Sequence, residues 1–104
     1  MKVHQLPVVY VITSPDFEFI KIGMSTSFKK RLRVLQVGCP FDLDMWLFIY
    51  TEVPREIEKY LHACLAHCWV RGEWFSPSEK DLDFLGDYAD KKNKEARAAY
   101  SALL

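Results

Sequence analysis

An α+β fold, built as a small three-stranded antiparallel sheet flanked by helices and closed by a C-terminal helix, is predicted by three features of the chain. Two β-branched and aromatic runs, Val8 to Ile12 and Phe17 to Met24, lie on either side of Ser14-Pro15-Asp16. A third apolar run, Met45 to Tyr50, follows. Between and after these, apolar residues recur every three or four positions, at Phe28, Leu32 and Leu35 and again at Ile57, Leu61, Leu65 and Cys68, which is helical spacing. With 104 residues, half of them hydrophobic, the chain suits a single domain: a core over about 7–76 and a helical extension over about 77–104.

The first strand is a run of the residue types that favour a pleated, half-buried surface, bounded by Pro7 and the turn residues Ser14 and Pro15. The returning strand alternates, with Ile20 and Ile22 on one face and Phe19, Lys21 and Gly23 on the other, so the two read as a β-hairpin. Ser25 or Thr26 caps the next helix, and Gly38 and Pro40 stop it. Met45 to Tyr50 is apolar on both faces and is expected to be a central strand. Pro54 suits a first helical turn, and the stripe it opens runs to about His67. Ser76-Pro77-Ser78-Glu79 has the pattern of a capping box with proline at the first helical position, so the last helix is expected to start there. Gly86 and Asn93 are its weak points, and the Ala-rich, charged stretch from Asp90 onward is expected to pack loosely.

No apolar run approaches the roughly 20 residues of a membrane span, and Met1 to Gln5 lacks the apolar segment of a signal peptide, so a cytoplasmic protein is expected. Cys39, Cys64 and Cys68 are an odd set and read as free thiols in a reducing compartment. The formal net charge is zero, yet the charge is segregated. Phe19 to Phe41 carries Lys21, Lys29, Lys30, Arg31 and Arg33 and no acid, whereas Asp42 to Glu58 carries Asp42, Asp44, Glu52, Glu56 and Glu58 against Arg55 alone. A basic surface beside a carboxylate-bearing one suits a site that attracts phosphate and holds a divalent cation; two solvated helix faces of opposite sign remain the plainer reading.

Four stretches in order carry the functional signal: Val8-Val9-Tyr10, Lys21-Ile22-Gly23, Glu58-Lys59-Tyr60-Leu61-His62 and Gly72-Glu73-Trp74-Phe75, with the basic stretch Phe28 to Arg33 after the second. In this order they resemble the GIY-YIG endonuclease superfamily, and more narrowly its small phage and bacterial branch with K-I-G, E-x-x-L-H and G-E-W-F motifs, a type associated with DNA binding. The resemblance covers roughly Val8 to Ser76. It implies a divalent-metal-dependent endonuclease that hydrolyses phosphodiester bonds in DNA, in a phage or mobile-element setting. Tyr10 matches the first motif's tyrosine, Arg31 the helix arginine and Glu58 the metal-binding glutamate. Val8 stands where the first motif has glycine, and Lys21 where the second motif has tyrosine, a position at which some restriction-type relatives also carry lysine.

Phosphodiester hydrolysis needs a deprotonated water, a cation for the leaving oxygen and neutralisation of the non-bridging oxygens. Glu58 is the candidate ligand for Mg²⁺ or Mn²⁺, since Mg²⁺ often takes only one or two protein carboxylates. Arg31 offers a guanidinium fork that fits two phosphate oxygens. Tyr10 is the candidate base, with Lys21 and Arg31 placed to lower its hydroxyl from the reference value near 10. His62, one turn past Glu58, is either a further catalytic group or a structural histidine bonded to backbone near Glu73. Lys29, Lys30, Arg33 and Arg71 are candidate contacts to nucleic acid. Glu73, Trp74 and Phe75 read as a structural clasp, with Glu73 pairing a buried cation.

Two other classes compete. A binding module without turnover, such as a phage modulator of host defence, would use the same surface for nucleic acid or protein. A zinc-stabilised module would draw on Cys64, His67 and Cys68, with His62 or Cys39 as fourth ligand. Against the latter, no paired C-x-x-C knuckle is present and Cys64 and Cys68 fall on the apolar stripe. A domain this small clamps only a short duplex, so a homodimer or a larger partner protein would supply selectivity.

Overall fold

Strand β1 (Val8–Thr13) is buried along its whole length, and that explains its unbroken apolar run: it has a packed layer on each face. In the computed structural model, which describes residues 3–25, 33, 35–37, 39 and 41–101, β1 pairs antiparallel with β2 (Ile20–Ser25) on one side and β3 (Asp44–Tyr50) on the other. Ser14 closes the hairpin: its hydroxyl accepts from the Phe19 N–H at 2.9 Å and donates to the Phe19 carbonyl at 3.2 Å. Phe17, at the tip, takes φ +56°, an uncommon conformation for a bulky residue, and sets its ring edge-on to Trp46 at 5.1 Å.

The sheet has five strands, not three. Beyond β2 lie β5 (Trp74–Phe75) and then β4 (Trp69–Arg71), giving the order β3-β1-β2-β5-β4, antiparallel throughout. The stretch expected to be a clasp is therefore itself a hairpin. Gly72 provides the positive φ of +55° that its turn requires, and the Trp69 indole N–H donates to the Gly72 carbonyl at 2.8 Å. The α+β class stands, while the three-strand count does not.

The run Met45 to Tyr50, expected to be central, is an edge strand. Its two-faced apolarity has a local cause: the register shift between Val11 and Ile12 leaves Trp46 as an extra residue, so Trp46 and Leu47 both pack on the main core. Its open edge is covered by an amide. Asn93 donates from Nδ2 to the Phe48 carbonyl at 2.9 Å and accepts the Tyr50 N–H at 3.0 Å, standing in for a further strand.

Helix α1 (Pro54–Cys64) begins with proline, where the missing N–H costs nothing, and buries Ile57 and Leu61. A 3₁₀ turn, Ala66–Cys68, carries the chain into β4. Helix α2 (Glu79–Ser101) runs unbroken through Gly86 and Asn93, the expected weak points. Its cap lies two residues later than the predicted box: Ser78 Oγ accepts the Asp81 N–H at 3.2 Å, Asp81 Oδ2 accepts the Ser78 N–H at 2.9 Å, and Pro77 sits outside the helix. The helix predicted between residues 25 and 38 lies mostly outside the described residues; residues 33 and 35–37 have helical backbone.

Two apolar layers result. Val9, Val11, Ile20, Ile22 and Ile49 pack under Ile57, Leu61 and Leu65, and under Leu85 and Ala89 of α2. On the opposite face Tyr10, Ile12 and Leu43 form a smaller cluster with Leu35, Cys39, Met45 and Trp74. Among the described residues no helix is long and apolar enough to cross a membrane.

Candidate functional site

The polar groups gather where β2 meets the β4–β5 hairpin and α1. Tyr10 and Gly23 are cross-strand partners, as are Ile12 and Lys21, so Tyr10, Lys21 and Gly23 share the face away from the main core. The tyrosine ring lies directly over the glycine: a Cβ on Gly23 would collide with the Tyr10 hydroxyl and come within 2.9 Å of Glu73 Oε2. Here glycine is needed for space, because its φ is ordinary. Tyr10 itself is 1% exposed.

Glu73 reaches this point because the β4–β5 turn lays it beside Ile22, whose N–H donates to the Glu73 carbonyl at 3.1 Å. Its Oε2 is buried without a hydrogen-bond partner. Lys21 Nζ stands 3.5 Å from that oxygen and 5.6 Å from the centre of the Trp74 ring. The lysine side chain is only 11% exposed, so the ion pair and the ring take over the solvation it has lost. Glu73 does pair a buried cation, as its sequence context suggests, and the cation is Lys21.

His62 supplies the link to α1. Its Nε2 donates to the Ile22 carbonyl at 2.9 Å, and its ring sits edge-on to Phe75 at 5.0 Å. That hydrogen bond occupies Nε2 and orients the ring, leaving Nδ1 as the other polar atom. Glu58, one turn earlier, has its carboxyl pushed above the usual 4.5, first by burial and then by the negative charge of Glu73; His62, Arg55 and Lys21 pull it back. A glutamate from another element thus lies close enough to oppose the ionisation of Glu58. That is an arrangement a divalent cation would relieve, and the hard oxygen donors suit Mg²⁺ or Mn²⁺.

Four predicted site residues, Tyr10, Lys21, Glu58 and His62, therefore converge. Arg31, Lys29 and Lys30 lie outside the described residues, and Arg33 is exposed. Arg71 is exposed on β4 and joins Phe19, Cys39, Phe41, Val70 and Trp74, the ring that Lys21 faces, around a cleft of about 280 Å³. Among the described residues the zinc set of Cys64, His67 and Cys68 does not assemble: His67 and Cys68 converge with Asp81 instead of Cys64, and Cys39 belongs to the Tyr10 face. Sequence reasoning took Glu73 as structural only. The available signal was its place in a Gly-Glu-Trp-Phe turn that must fold back on a strand carrying lysine.

Residues 7–85 match the T5orf172 domain, which spans most of the chain and takes in all of these groups. The chain belongs to the T5orf172 domain family. This is a phage-associated domain type. No curated protein and no solved structure matches the chain. The T5orf172 match ends within α2, at Leu85, which is itself part of the main core.

Proposed function

We propose that this T5orf172 domain is a GIY-YIG-type endonuclease that hydrolyses phosphodiester bonds in DNA with the help of Mg²⁺ or Mn²⁺, in a phage-related setting. The observation that supports it most is the meeting at Glu73 of Tyr10, Lys21 and Glu58, each from a separate element. Ionisable groups brought together from separate elements, one carboxyl among them shifted by burial and by a like charge, are a signature of chemistry.

In this reading Tyr10, acting as its phenolate, takes the proton from the attacking water as the water oxygen bonds to phosphorus and the P–O ester bond opens. Lys21 and Arg31 offset charge on the non-bridging oxygens. Glu58, with Glu73 facing it, would hold the divalent ion, which when bound stabilises the charge of the departing oxygen. His62 acts as a positioning residue that fixes α1, and with it Glu58, against the Ile22 carbonyl. Lys29, Lys30, Arg33 and Arg71 would hold the backbone on either side of the scissile phosphate. One such site cuts one strand, so double-strand cleavage would call for a homodimer or a second nick.

A second reading, binding of nucleic acid or a protein partner without turnover, draws on a specific observation. Lys21 is already committed to Glu73 and Trp74, and His62 Nε2 to backbone, as groups that only brace the fold would be. Incubation of supercoiled plasmid with Mg²⁺, Mn²⁺ or chelator separates the two. The nuclease reading expects metal-dependent nicking that falls at least about 100-fold in Glu58→Ala. Salt-sensitive DNA binding without nicking by the wild-type chain would favour the binding module.

A further inference from the structure

We propose that His67, Cys68 and Asp81 form a transition-metal site, best matched to Zn²⁺, distinct from the Glu58 centre and bridging the end of α1 to the start of α2. Among the described residues this is the set whose imidazole nitrogen, thiol sulfur and carboxylate oxygen converge, all lying within 4.8 Å of one another. His67 Nε2 and Asp81 Oδ1 are already 2.9 Å apart. Tetrahedral zinc, with bonds of about 2.0–2.3 Å, sets its donor atoms roughly 3.3–3.7 Å from each other, so closure on an ion needs shifts of about 1 Å.

The surroundings suit such a site. Asp81 is 13% exposed at its side chain, and its Oδ2 is held by the Ser78 N–H at 2.9 Å and the Ser78 hydroxyl at 3.0 Å, which fixes the carboxylate and leaves Oδ1 for an ion. Cys68 Sγ points back toward the Leu65 carbonyl, 3.3 Å away, from a 3₁₀ turn that fixes it beside His67. His67 is 60% exposed, which gives the ring room to adjust and the ion a way in. Sulfur and imidazole favour Zn²⁺ over the Mg²⁺ that two glutamates would prefer. Binding replaces the His67–Asp81 hydrogen bond, forms S–Zn, N–Zn and O–Zn bonds, releases the thiol proton to solvent, and leaves the fourth position to water.

The consequence concerns the whole hairpin. Residues 68 and 81 flank β4, β5, Glu73 and Trp74, so an ion here closes the loop that carries Glu73 to the sheet.

Titration of the metal-stripped full chain with Co²⁺ tests this. The expected result is a single equivalent bound with the intense visible bands of tetrahedral cobalt and a near-ultraviolet thiolate-to-cobalt band, displaced by Zn²⁺ and unaffected by excess Mg²⁺. Cys68→Ser removes the thiolate band, whereas Cys39→Ser and Cys64→Ser keep it. His67→Gln, at an exposed position that leaves the fold intact, weakens cobalt binding at least about 100-fold, beyond the usual effect of an outer-shell partner. Absence of the tetrahedral cobalt spectrum in the wild-type chain, or a thiolate band that survives Cys68→Ser, overturns the proposal.

Discussion

The two faces of the β1–β2 hairpin are built from alternate residues of the same strands, yet they obey different rules. One face presents Val9, Val11, Ile20 and Ile22 to α1 and α2 and is hydrocarbon throughout. The other presents Tyr10, Lys21 and Gly23, and there a phenol lies over a glycine, a lysine is nearly sealed from water, and a glutamate oxygen has no hydrogen bond. The first face supplies stability. The second takes ionisable groups out of water, the arrangement that the proposed chemistry would call for.

The dry face should dominate the energetics. Leu61 is fully buried under the sheet, so Leu61→Ala is expected to cost about 2–5 kcal/mol, measured by urea unfolding. A loss much below that would mean the face collapses around the cavity and is less tightly packed than described. On the polar face, Gly23→Ala places a methyl group against the Tyr10 hydroxyl and Glu73 Oε2; it is expected to cost about 1–3 kcal/mol and to reduce nicking at least about 100-fold. Activity that persists would separate Tyr10 from the chemistry.

A smaller effect distinguishes bracing from catalysis. Lys21→Met leaves Glu73 without its ion-pair partner, and because Glu73 is partly exposed the expected loss is about 1–2 kcal/mol. Adding Glu73→Gln should restore most of that stability, since the uncompensated charge is gone, but should not restore nicking. Recovery of both would show that the pair only holds the hairpin in place.

Much of this was legible beforehand, and the exceptions have physical causes. The hairpin and α1 were readable because β-branched runs and a repeat of three to four residues are long-range patterns; that Tyr10, Lys21, Glu58 and His62 gather in one region was readable because motif order survives in sequence. Strands β4 and β5 were not, since three and two residues cannot show an alternation. The position of β3 was misread because its outer partner is the side-chain amide of Asn93, more than forty residues away, a residue that on propensity alone marks a weak point in a helix. The cap of α2 slipped because Ser76 and Ser78 each have an acid three residues on, and only Ser78 meets its own. Glu73 was half read: its partner was foreseen, its opposition to Glu58 was not, because that opposition depends on two elements meeting. Lys29, Lys30 and Arg31 lie outside the described residues.

Glu58→Gln tests the contrast between the faces most directly, because it should change stability and activity in opposite directions. The Glu58 carboxyl is held above 4.5 in the folded chain, so the native state keeps its proton to higher pH than the unfolded state does. The penalty for ionising it is absent below pH 4.5, grows as pH rises toward the raised folded value and is complete above that. Glu58→Gln should therefore match the wild-type chain in acid and be modestly more stable than it at neutral pH without added metal, while plasmid nicking with Mg²⁺ or Mn²⁺ is lost. A variant that is less stable than wild type at neutral pH, or that still nicks, would contradict the claim that Glu58 is kept at a cost to the fold for the sake of its chemistry.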